Sequence, residues 1–239
     1  MKKLVYLFVL IPFISRSQQT INDPYAEKRQ IKGSFHAIHI SNSFDCYLSQ
    51  GNEEAVAVSA ASEDIREYIR TTVENGVLTI KFLEPEKFWK YAGPKKLKVY
   101  ISFKQLDELV VSGACDVIFK EPLRTRELLV RLSGSSDLKA AIEADKLNFQ
   151  LSGASDVAIT NGSADDLIID ANGASDFNAF ALKVNTCTAE VSGASTVHVT
   201  VNKEMNVKAS GASSVQFKGE GRINQLKTTG ASKVNRLEK

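Results

Sequence analysis

Ser152-Gly-Ala-Ser-Asp-Val157 decides the reading of this chain, because the same hexapeptide recurs with small changes seven times. The copies begin at Ser112, Ser133, Ser152, Asn172, Ser192, Ser210 and Thr229, in steps of 21, 19, 20, 20, 18 and 19 residues. A period near twenty held over half the chain is the mark of a solenoid, in which each repeat buries its apolar side only against its neighbours.

With the first residue of each copy taken as position 0, positions −5, −3 and −1 read Leu128, Val130, Leu132; Leu147, Phe149, Leu151; Leu167, Ile169, Ala171; Cys187, Ala189, Val191; and Met205, Val207, Ala209. The residues between are mostly polar, as in Arg131, Asn148, Gln150, Thr188 and Asn206. Alternation of this kind describes a strand with one buried face. Apolar residues return at +5 and +7, as in Val117 and Phe119, Leu138 and Ala140, Val157 and Ile159, Val197 and Val199, and Val215 and Phe217. Each repeat is therefore strand, tight corner, strand and return loop. The corner Gly, seen at Gly153 and its six counterparts, suits positive φ or close backbone approach. Stacked in parallel, such coils make an all-β fold, a right-handed parallel β-helix with coils of about 20 residues.

An earlier, degenerate coil starts at Ser41, with His36, Ile38 and Ile40 at −5, −3 and −1, Asp45 at +4, and Cys46 and Leu48 at +5 and +7. Looser strand-like runs follow at 55–60, 77–82 and 97–103, and 62–71 reads as a short helix capped by Ser62. The last coil reads as a cap, because Asn224, Thr228 and Arg236 fall at its core positions −5, −1 and +7.

Residues 1–17 read as a secretory signal peptide: Lys2 and Lys3, an apolar run from Leu4 to Ile14, then Ser15-Arg16-Ser17. The run is too short to span a bilayer as a helix, and no Cys follows it to carry a lipid anchor. This gives 18–32 as a lead-in and 33–239 as one domain, with regular repeats over 107–236. Removing the signal changes the formal charge from +2 to −1, so the basic balance of the full chain argues for neither nucleic acid nor an anionic membrane as partner. Cys46, Cys115 and Cys187 read as small buried fillers, on coils well apart in the stack and without metal-ligand spacing.

Position +4 is the sharpest polar feature. It holds Asp116, Asp137, Asp156 and Asp176, then Thr196, Ser214 and Lys233. Stacked carboxylates repel and need compensation, from corner amides, from solvent, or from bridging cations such as calcium. The Gly-Gly-x-Gly-x-Asp nonapeptide of calcium β-rolls is absent. A second candidate is the insertion 84–96, where Phe88, Trp89 and Tyr91 with Lys87 and Lys90 form either a sugar-stacking patch or a cover over the core. His36, His39 and His198 read as isolated surface residues, and no catalytic triad or metal set can be assembled from them. On column −2, Asp170 and Glu190 are neighbours, the one basis for a glycosidase-type pair. A solvated face of mixed charge explains that column equally well.

Phe35-His-Ala-Ile-His-Ile40, Phe44-Asp-Cys-Tyr-Leu-Ser-Gln-Gly51, Asn75-Gly-Val-Leu-Thr-Ile80 and the serial hexapeptides together resemble the putative auto-transporter adhesin, head GIN domain family. The resemblance runs from Gly33 to Val234 and departs from the family at Cys46 and Cys115. It implies an exported right-handed β-helix of Bacteroidetes-type bacteria, with no catalytic residues to carry over. The expected function is a non-catalytic binding or adhesion module of the periplasm, cell surface or medium, engaging polysaccharide or protein and needing no cofactor unless calcium fills the Asp ladder. The alternatives are a carbohydrate-active enzyme using Asp170 and Glu190, and a purely structural envelope protein.

Overall fold

A computed structural model describes residues 23–84 and 97–238. The signal segment 1–17 and the aromatic cluster Phe88, Trp89 and Tyr91 lie outside the described residues. The chain order is β1 (Glu27–Arg29), β2 (Ala37–Asn42), β3 (Phe44–Gln50), β4 (Ala55–Ser59), helix α1 (Glu63–Glu67), β5 (Ile69–Glu74), β6 (Val77–Phe82) and β7 (Leu97–Phe103). The repeats then supply β8 (Glu108–Gly113), β9 (Asp116–Phe119), β10 (Leu123–Gly134), β11 (Asp137–Leu151), β12 (Asp156–Ala171) and β13 (Asp176–Val191). They finish with β14 (Thr196–Ala209), β15 (Ser214–Lys218), β16 (Arg222–Thr228) and β17 (Lys233–Arg236).

The repeats stack as parallel coils in the register that the hexapeptides set. Leu132, Leu151, Ala171, Val191 and Ala209 face one another in succession, as do Val157, Phe177, Val197 and Val215. The odd-numbered apolar positions of the repeats are buried as far as Phe217, so one continuous core runs along the stack up to the last coil. Phe149 and Phe177 meet edge to face inside it, with ring centroids 4.9 Å apart.

The corner Gly is required twice over. Gly153 has φ +80, and a Cβ on it would stand 2.4 Å from the Gly134 carbonyl oxygen. That carbonyl accepts the Ala154 N–H at 2.7 Å, so the coils cannot part to admit a methyl group without losing the bond.

The degenerate first coil is present. Ile38 and Ile40 stack on Leu109 and Val111, and Cys46 and Leu48 on Val117 and Phe119. His36, by contrast, is exposed rather than in the core. The order along the stack also departs from the order along the chain. β6 and β7 lie on the far side of β2 and β3 from β8 and β9, so the chain passes back beneath its own first coil. This end is closed by antiparallel strands, β5 on β6, β4 on β7 and β1 on β4. Asp23 fastens the lead-in there. Its carboxylate accepts the Tyr100 hydroxyl at 2.8 Å, and Arg66 reaches Glu27 at 2.6 Å.

Two expectations need correction. The helix is one turn and a half, Glu63–Glu67, and Ser62 makes no side-chain capping bond. Ile69-Arg-Thr-Thr-Val-Glu74 is instead a strand, because its β-branched residues find a partner in β6 and tertiary pairing outweighs the local cap signal. In the last coil Met205 faces Ile223 while Asn206 faces Gln225, so Asn224 is the extra residue of a bulge and Ile223 takes the inward slot. Arg236 does act as a cover. Its guanidinium lies 5.0 Å from the Phe217 ring centroid and donates to the Gly221 carbonyl.

Candidate binding surface

The outward face of the solenoid is a set of ladders, one rung per coil, about 4.8 Å apart. The carboxylate column is confirmed as a column: Asp45, Asp116, Asp137, Asp156 and Asp176 stand in register, followed by Thr196, Ser214 and Lys233. Asp137, Asp156 and Asp176 are exposed, and the Asp176 N–H donates to Asp156 Oδ1 at 3.3 Å. Solvent and a corner amide therefore both temper the repulsion. Among the described residues no three His, Cys, Asp or Glu side chains are grouped so as to hold a metal ion.

Column −2 runs Val110, Arg131, Gln150, Asp170, Glu190, Lys208, Lys227. Arg131 Nε donates to Gln150 Oε1 at 2.9 Å, and the Lys208 ammonium meets Glu190 Oε1 at 2.6 Å. Asp170 and Glu190 are thus neighbours, as their spacing requires, but both are exposed on a strand face and Lys208 engages one of them. Beside this column run Asn148, Ile168, Thr188 and Asn206, all half-buried, and then Gln225. Over the last coils the two columns line a shallow depression of about 490 Å³, bounded by Thr188, Glu190, Asn206, Lys208, Gln225 and Lys227. A second, more open groove of about 510 Å³ lies near the other end, between Ser34, His36, Gly51, Asn52, Glu54 and Lys104.

The histidines are not isolated. His36 Nδ1 lies 2.9 Å from Asp107 and His39 Nε2 lies 2.9 Å from Glu108, each pair joining the first coil to the second. His198 stacks on Phe180, with centroids 4.7 Å apart, and Lys218 lies over the same ring.

The cysteines are all buried and unbridged, but they are not all far apart. Cys46 and Cys115 sit on adjacent coils with their thiols in hydrogen-bonding contact. Burial, then the Cys115 thiol, push Cys46 well above the ordinary thiol value. The Cys46 hydrogen bond pulls Cys115 down despite burial. Cys187, packed among apolar side chains, is pushed up to about 12 by burial alone.

A polar ladder also runs inside the core. Ser136, Ser155, Ser175, Ser195 and Ser213 are all buried. Ser155 and Ser175 donate to the carbonyls of Ser152 and Asn172 at 3.0 and 3.2 Å. The Ser155 and Ser175 amides donate in turn to the hydroxyls of Ser175 and Ser195 at 3.4 and 3.2 Å. Cys115 occupies the same rung, its thiol pointing to the Ser112 carbonyl at 3.7 Å. This ladder had a signal in the sequence, because position +3 shares the odd parity of every core position.

A family model described as "Putative auto-transporter adhesin, head GIN domain" matches residues 34–221, and the chain belongs to that family. A crystal structure described as a putative adhesin from Bacteroides fragilis NCTC 9343 superposes with a TM-score of 0.79 at 21% identity, covering 89% of this chain and 96% of that one. A structure described as a putative adhesin from Parabacteroides distasonis ATCC 8503 gives 0.68 at 21% identity, covering 89% and 96%. A protein from the same organism described as a putative lipid binding protein gives 0.67 at 19% identity, covering 90% and 98%. At these identities the likeness is one of fold. No curated protein matches the sequence.

Proposed function

We propose that this member of the head GIN domain family is an exported, non-catalytic adhesion module of the bacterial cell envelope that holds an extended polysaccharide across its outward ladders. The observation that carries the reading is the pairing of columns −2 and −4. They offer an amide, hydroxyl or charged group at nearly every rung, and they open into a shallow depression at Asn206 and Gln225. A repeating ligand meets a repeating set of donors and acceptors there, with rungs spaced close to the length of one sugar ring. Two of the fold relatives are described as adhesins, which agrees with a binding role. The signal-like segment 1–17 supplies the address, and Phe88, Trp89 and Tyr91 supply candidate stacking surfaces.

The test is retention of residues 18–239 on a broad glycan and polysaccharide array, with calcium and again with EDTA. Specific retention that falls in Asn206→Ala and Gln225→Ala supports the reading. A blank array under both conditions removes it, and release of shortened glycans in solution would transfer the assignment to an enzyme using Asp170 and Glu190. Loss of retention in EDTA alone would place a cation on the Asp ladder.

A further inference from the structure

The two ends of the solenoid are finished differently. The first is sheathed by the antiparallel strands β1, β4 and β5 and by the Asp23–Tyr100 and Glu27–Arg66 contacts. At the other, β16 pairs only with β14 and β17 only with β15 among the described residues. Every residue of β16 but Ile223, and every residue of β17 but Val234, is exposed. Leu226 faces inward over the buried Val207, yet it is 54% exposed, with no strand of the described residues paired beyond it.

The hydrogen bonds of the corner have a direction. Leu132, Gly134 and Ser136 accept from Ser152, Ala154 and Asp156 of the next coil, and the same three positions accept in each following coil up to Ala209, Gly211 and Ser213. In the last coil these positions are Thr228, Gly230 and Ser232, and no donor reaches their carbonyls among the described residues. The edge is a row of three acceptors, cut to receive the N–H groups of one more extended segment.

Charge tells which segment fits. Column −2 ends in Lys227, stacked on Lys208, whose ammonium is already engaged by Glu190. Column +4 ends in Lys233. No carboxylate of the described residues lies within ion-pair distance of Lys227 or Lys233. A second copy laid edge to edge would bring lysines against lysines, which is how natural sheets resist self-pairing. A strand carrying carboxylates would instead continue the Glu190–Lys208 alternation.

We propose that the C-terminal end of the solenoid is a docking edge that takes up an acidic, extended segment of a partner polypeptide as one further rung. Its backbone N–H groups go to the carbonyls of Thr228, Gly230 and Ser232, a Gly lies over Gly230 as over each earlier corner Gly, an apolar side chain covers Leu226, and its carboxylates meet Lys227 and Lys233. The edge shares Leu226 and Lys227 with the rim of the depression at the end of the ladders, but its backbone acceptors lie at the corner and do not depend on glycan binding.

The experiment uses the chain with a short capped peptide of alternating Val and Glu that carries Gly at the residue stacked on Gly230, read by fluorescence anisotropy and by hydrogen exchange of the peptide's own amides. The expected result is saturable binding that weakens as salt rises, with slowed exchange of alternate peptide amides. Binding should be lost for a Val–Lys analogue and for a peptide with Pro at alternate positions. The double variant Lys227→Glu, Lys233→Glu, folded by circular dichroism, should reverse the preference to the Val–Lys peptide. Absence of saturable binding, equal binding of the Pro peptide, or an unchanged preference in the double variant would overturn the proposal. So would sedimentation showing that the edge is occupied by a second copy.

Discussion

The Asn42 carbonyl oxygen lies 2.1 Å from the point that a Cβ on Gly113 would occupy. Asn42 itself is left-handed, with φ 85, yet carries a side chain, because it stands at the first rung of the corner column. Its Oδ1 accepts the Phe82 N–H at 2.9 Å, a role no glycine could fill. Asn tolerates this backbone region better than other side chains, and only the later rungs must also leave room for a carbonyl.

The column should therefore respond unequally to substitution. Gly153→Ala combines a left-handed Ala with a backbone clash and is expected to cost about 3 kcal/mol. Asn42→Gly loses the bond from the Phe82 amide and a long one from the Ser41 hydroxyl, and should cost about 1 kcal/mol. Urea unfolding of both variants measures the difference, and equal losses would contradict the steric account.

The serine ladder predicts a second contrast. Ser175→Ala leaves the Ser155 amide and the Asn172 carbonyl without their buried partner and should cost about 2 kcal/mol. Ser175→Cys should cost less, because Cys115 already serves as a rung. Thermal melts of the two variants decide whether the hydroxyl is a hydrogen-bonding group or only a filler.

On the carboxylate column, Asp156→Asn keeps an oxygen for the Asp176 N–H and removes one charge from the row. Stability should rise by about 0.5 kcal/mol at low ionic strength, and the gain should vanish in high salt. Calcium or EDTA should leave the melting temperature of the parent protein unchanged. A calcium-dependent rise that disappears in Asp156→Asn would show that a cation, and not solvent and amides, balances the row.

The Cys187 thiol ionises near 9 in the unfolded chain and at about 12 in the folded one. Above pH 9 the unfolded state loses its proton first, so stability falls with rising pH between about 9 and about 12 and is unaffected by this group below that window. Cys187→Ala should remove this part of the alkaline loss, measured as denaturant midpoints across that range. Iodoacetamide at pH 8 should leave Cys187 unmodified in the native protein and modify it in denaturant.

The regular coils were legible because Leu147, Phe149 and Leu151 and their counterparts repeat both the parity and the spacing of the core. The first coil was legible for the same reason at Ile38, Ile40 and Leu48. The position of β6 and β7 was not, because local alternation says which face is buried but not which side of the stack a strand joins. The strand at Ile69 was obscured by a helix-start pattern at Ser62, and the bulge at Asn224 by counting residues where one is looped out. The contact of Cys46 with Cys115 needed the register of two coils 69 residues apart in sequence. On the outward face, Asp170 and Glu190 could be read as neighbours, whereas the hold of Lys208 on one of them could not, since it depends on side-chain direction.

Because each corner repeats the bond from Ala154 to Gly134 with the next coil, the unit of architectural change is the whole coil. Excision or duplication of one complete repeat would rejoin like to like and leave both ends untouched, whereas an odd fraction would turn core residues to water. A lineage can therefore lengthen or shorten this molecule in steps of about 4.8 Å, setting the span of its outward face without redesigning its interior.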